Sequence, residues 1–169
     1  MKRLLPLLGL LLLTGCNKNG GFGLGPRNPF GLADVPGSPE DADVKNFAKS
    51  ARLSGDDRDG NASQWSPQAT SGKADSMEGE WFGRWLANVQ GRATIKIANA
   101  RMYIKYEEGP ATWLVELVRV GSTDLMGRWV NIANSNDQGF YAGKMVGHDR
   151  IDGVWTGDGA RWDFRRKLK

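Results

Sequence analysis

The stretch Gly79-Glu80-Trp81-Phe82-Gly83-Arg84-Trp85 twice sets a glycine two positions before a tryptophan. In an extended strand, residues i and i+2 share a face, so each glycine opens a gap on the face that carries its indole. The spacing returns at Gly127-Arg128-Trp129 and Gly153-Val154-Trp155, with Ala160-Arg161-Trp162 as a variant. Small residues interleaved with large ones on one face are what a tightly curved, closed sheet needs to fill its interior.

Outward from these motifs, short alternating runs rich in β-branched and aromatic residues cover 80–86, 93–98, 102–107, 112–120, 125–132, 140–146, 151–156 and 161–167. Turn signals separate them: Asn99-Ala100, Gly109-Pro110, Gly121-Ser122, Asn134-Ser135-Asn136-Asp137 and Gly157-Asp158-Gly159. Connections this short cannot hold crossover helices, so the strands must run as an antiparallel meander. Closing such a meander removes its exposed edges. The pattern predicts an all-β domain over residues 77–169, a small eight-stranded antiparallel up-and-down barrel, with a two-sheet sandwich as the alternative.

The Gly-x-Trp motif, with basic residues in the final strand, resembles the lipocalin and calycin barrels, whose last strand often sets a basic side chain over the first-strand tryptophan. The resemblance implies Gly83-Arg84-Trp85 as the first element, Arg165 or Arg166 as the last, and an interior able to hold a small ligand. A further stretch, Leu125-Met126-Gly127-Arg128-Trp129-Val130-Asn131, is similar to the opening strand of avidins; we read it as convergence on the same barrel sterics.

The N-terminus carries a different signal. Lys2 and Arg3 precede a leucine-rich run over 4–13, and Leu13-Thr14-Gly15-Cys16 follows. That order is the grammar of an export signal. The apolar run is about half of the roughly 20 residues a membrane-spanning helix needs. Leu13-Thr14-Gly15-Cys16 resembles the lipobox of bacterial lipoproteins, which implies removal of residues 1–15, lipidation of Cys16 (typically with palmitate among the acyl chains) and attachment to a membrane of the cell envelope. Asn17 after the cysteine favours the outer membrane under the sorting pattern of enterobacterial lipoproteins. Cys16 is the only cysteine, so the fold has no disulfide within the chain and stands on packing.

Residues 16–76 read as a mostly disordered linker dense in Gly, Pro, Ser and Asp, with a short amphipathic helix over 44–53 that we read as transient rather than docked on the domain or on a partner. Asp57-Arg58-Asp59-Gly60 has the look of part of a calcium loop, but Gly55 and Ser66 would fall on its first and last ligand positions, and a solvated turn results. Residues 77–169 carry fourteen basic and eleven acidic side chains, too even a balance for a nucleic-acid footprint.

Chemistry is sparse. The single histidine, His148, sits at a hairpin tip, and no nucleophile arrangement, metal site or cofactor motif is visible, so the sequence argues against an enzyme. Trp85, Trp129, Trp155 and Trp162 are the expected inner-face ligand contacts. A two-residue turn at His148-Asp149 would bring Lys144 onto that face, where it would meet an anion; a bulge would turn it outward. Arg161, Arg165, Arg166, Lys167 and Lys169 make a basic end that suits a solvated edge or a polyanionic envelope component. These readings imply a membrane-attached lipoprotein whose barrel binds a small hydrophobic or anionic ligand or an envelope polymer, or else a solidly packed structural protein of the envelope.

Overall fold

A computed structural model describes residues 29–32, 42–51, 67–85, 89–156 and 160–169. Cys16, the leader before it and the acidic turn at 57–60 lie outside these residues. The described residues form α1 (Ala42–Ser50) and ten strands: β1 (Ala69–Thr70), β2 (Gly79–Trp85), β3 (Val89–Ala98), β4 (Arg101–Glu108), β5 (Ala111–Val120), β6 (Asp124–Asn131), β7 (Asn134–Val146), β8 (Arg150–Trp155), β9 (Trp162–Arg165) and β10 (Lys167–Leu168). Strands β2 to β9 follow one another around a closed antiparallel barrel, so the sandwich alternative is excluded.

Each strand turns one row of side chains inward. Trp81, Ile95, Ile104, Tyr106, Val115, Leu117, Trp129, Tyr141, Ile151, Trp162 and Phe164 fill the waist and are essentially inaccessible to solvent. The glycines admit this packing, although the rings in their gaps are mostly not indoles. Gly83 lies beneath Tyr106 and Phe164, Gly153 beneath Tyr141, and at Gly127 the backbone carbonyl of Glu116 takes the space, while Gly139 accommodates Trp129.

Three departures from the expected strands have local causes. The turn placed at 134–137 is instead strand: the chain reverses at Ile132-Ala133, a register shift follows Val130, and β7 runs unbroken from Asn134. The β7–β8 turn is three residues long, Gly147 to Asp149, with Gly147 at φ +67°, so Val146 pairs with Arg150 and Lys144 with Asp152. That extra residue swaps faces: Tyr141 and Met145 point in, and Lys144 points out, away from the tryptophans. Finally, β10 pairs in parallel with β1, so the folded body reaches back at least to Ala69, ahead of residue 77.

Two pieces of the expected linker also lie on the barrel wall. The expected helix is present as α1, docked against β6 and β7, with Val44 fully buried and Phe47 5.9 Å from Phe140 between ring centroids. Phe30 and Leu32 cover the outward-facing Leu114 and Val130, and the Lys96 ammonium stands 4.7 Å above the Phe30 ring.

Candidate functional site

With the waist filled, the space left inside the barrel lies at its two ends. One end collects inward residues from near the ends of five strands, which antiparallel order brings to the same rim: Trp85 from β2, Tyr106 from β4, Trp113 from β5, Trp155 from β8 and Trp162 from β9. With Asp137 these rings enclose a cavity of about 80 Å³. Trp85 meets Trp155 edge to face at 5.1 Å, and Tyr106 meets Trp162 in the same way at 5.3 Å. Such right-angled pairs satisfy the ring quadrupoles.

Glu108 holds this arrangement. Its Oε2 accepts hydrogen bonds from Trp85 Nε1 at 2.6 Å and from the Tyr106 hydroxyl at 3.0 Å. Burial, and then the negative charge of Glu108, push the Tyr106 phenol far above its ordinary range, so it remains a neutral donor. Asp137 accepts from Asn131 Nδ2 at 3.0 Å. Trp129 stands behind this wall, 4.9 Å from Trp155, as packing rather than lining. The buried indole N–H groups of Trp129, Trp155 and Trp162 find no acceptor among the described residues.

At the opposite end, the turns after β3, β5 and β7 and the segment before β2 surround an open bowl of about 1010 Å³. Its floor is apolar, from Met77, Met102, Leu125 and Met145, and its rim carries Lys73, Arg119 and His148 together with Asp75 and Glu78. Three of the five methionines of the chain meet here. Unbranched, polarizable thioethers adapt to ligands of differing shape.

Arg166 ties together the segments that border this bowl. Its guanidinium lies 4.8 Å from the Trp81 ring and donates to the carbonyls of His148 (3.0 Å), Glu78 (3.2 Å), Lys73 (3.2 Å) and Ser76. Removal from water lowers its pKa, with Asp149 opposing, yet a guanidinium stays charged at neutral pH. The basic residue over a Gly-x-Trp tryptophan is therefore present, but it covers Trp81 of Gly79-Glu80-Trp81 and not Trp85. Trp81 Nε1 in turn donates to the Met77 carbonyl at 2.9 Å, tying down the segment that crosses this end.

The residues picked out from the sequence thus divide. Trp85, Trp155 and Trp162 come together at the aromatic end, Trp129 packs behind them, and Arg166 belongs to the other end. Lys144 stands on the outer wall opposite Asp152, where Arg150 contacts Asp152 at 2.6 Å and Arg161 contacts Asp163 at 3.2 Å. Asp163 is buried enough that desolvation raises its pKa despite the neighbouring Arg161. This is a ladder of alternating charge along the wall and no ligand site. The sequence reading missed Tyr106, Trp113 and Asp137, and also the methionine floor. A two-residue turn at Gly109-Pro110 would have set Tyr106 opposite Trp113, the pairing observed. His148 is exposed at its turn, and among the described residues no group of three His, Cys, Asp or Glu is placed to hold a metal ion. No described helix is long and apolar enough to cross a membrane. Comparison with protein-family models and with curated proteins finds no match to the chain.

Proposed function

We propose that this chain is an exported lipoprotein, anchored through Cys16 to an envelope membrane, most consistently the outer one, whose barrel binds a hydrophobic ligand with an anionic head at the methionine-lined end. The observation that carries the reading is the bowl of about 1010 Å³, with Met77, Met102, Leu125 and Met145 below and Lys73 and Arg119 at the rim. An acyl chain would remove the apolar floor from water, at roughly 25 cal/mol per Å² covered, and the rim cations would receive its charge. The likeness to lipocalin-type barrels draws support from Arg166 over Trp81. The anion-binding role first assigned to Lys144 passes to Arg119 and Lys73.

The anchor and the ligand are tested in sequence. Cys16→Ser should abolish lipid labelling and leave unprocessed precursor; a Ser variant that still matures at the same site and partitions with membranes would overturn the anchor. A full chain left unacylated by that substitution should bind a fluorescent fatty-acid analogue saturably. Leu125→Trp, which fills the floor, should weaken binding by about tenfold or more, since the lost apolar contact exceeds a methylene or two. The solid waist favours the second reading, a structural envelope protein, and absence of saturable binding by the folded chain would establish that reading over the first.

A further inference from the structure

The geometry points to a second ligand site, at the aromatic end of the barrel, for the head of a small organic cation, a quaternary or methylated ammonium. It is separate from the bowl, across the filled waist, and does not depend on what the bowl holds.

The cavity there is bounded by Trp85, Tyr106, Trp113, Trp155 and Trp162; among the described residues Asp137 is the one charged residue that lines it, and no lysine or arginine does. Its volume of about 80 Å³ takes a group of a few heavy atoms and excludes an acyl chain or a sugar polymer. Aromatic rings lining a small space attract a cation through the ring quadrupole. Trp85 and Tyr106 both donate to the Glu108 carboxylate, at 2.6 and 3.0 Å. A donor bonded to an anion pushes electron density into its ring, which makes both faces more attractive to positive charge. Asp137 adds a direct countercharge at the wall. The same two carboxylates oppose an anionic guest, so the two ends of the barrel differ in the sign of charge they receive. A diffuse quaternary head suits this site better than a primary ammonium, because it gives up little hydration on entering.

The test is a titration of the full chain with choline chloride, followed by the indole N–H NMR signals. Saturable shifts are expected for Trp85, Trp155 and Trp162, while Trp81 at the far end stays unmoved. The neutral isostere of choline, with carbon in place of the quaternary nitrogen, should bind roughly tenfold more weakly, as should the Asp137→Asn variant towards choline. Trp113→Ala should lose a similar factor; if that variant fails to fold, Asp137→Asn carries the comparison alone. A short-chain phosphatidylcholine below its micelle concentration distinguishes the source of the cation. Shifts with it as strong as with choline assign a lipid headgroup, and shifts with choline alone assign a free solute. Equal binding of the neutral isostere, or no saturable shift with choline, would overturn the proposal.

Discussion

At Gly83 a Cβ would stand 2.6 Å from the Tyr106 ring and 2.9 Å from Phe164. Both rings are fixed by the waist, and Tyr106 is also tethered to Glu108. Gly83→Ala should therefore destabilise the barrel by about 1 to 3 kcal/mol through overpacking, read as a lower urea midpoint with unchanged m-value. An Ala variant as stable as the parent would show that these rings yield. The glycine spacing announced a crowded interior, but not the partner. An interval of two along one strand says which side a gap faces, whereas the ring that enters it comes from a neighbouring strand whose register is set elsewhere.

Among elements, the β7–β8 turn has the largest consequence per residue. One added residue at Gly147 turned Lys144 from a ligand candidate into a member of the outer charge ladder, because side chains alternate with period two. The helix α1 teaches the complementary point. Its amphipathic spacing was legible, but nine residues alone are marginal, and only the wall of β6 and β7 gives its apolar face a partner. Val44→Asp puts a carboxylate where no water reaches. It should release the helix, seen as several-fold faster proteolysis within 42–51 with the near-UV circular dichroism of the barrel preserved. Unchanged protection would mean that other contacts hold α1 in place.

For the molecule as a whole, buried phenols set an alkaline limit. Tyr141 is fully enclosed, donates to the Trp162 carbonyl at 2.7 Å, and has its pKa raised by burial, then by Asp163 and Asp152; Tyr106 is raised by burial and Glu108. A raised folded-state pKa means stability that is complete below the ordinary value of 10.0 and is lost as pH climbs above it. Each phenol held neutral removes about 1.4 kcal/mol per pH unit in that range, because the unfolded chain releases its proton first. Tyr141→Phe should be less stable than the parent at neutral pH, by the lost hydrogen bond, and the deficit should shrink as pH rises past 10; a constant deficit would refute the assignment. Tether length is likewise a property of the whole. Pro29 to Leu32 and α1 lie on the wall, so the anchor proposed at Cys16 would be separated from the docked chain by the twelve residues 17–28, a span of at most about 40 Å. A linker of 60 free residues would have let the barrel roam much further.

What the sequence determined alone follows from rules with short range. The number of barrel strands, their antiparallel order, closure and inner placement of Trp85, Trp129, Trp155 and Trp162 come from period-two alternation and from connections too short to cross over. Tertiary structure decided what depends on register around a closed ring: that Arg166 covers Trp81 and not Trp85, that three methionines share one end, and that Trp113 and Asp137 join the tryptophans at the other. Each of those meetings adds up the offsets of several hairpins, and a single extra turn residue or bulge, as at Gly147 or after Val130, moves every later partner. Local pattern carries the face of a residue, and only the closed barrel carries its company.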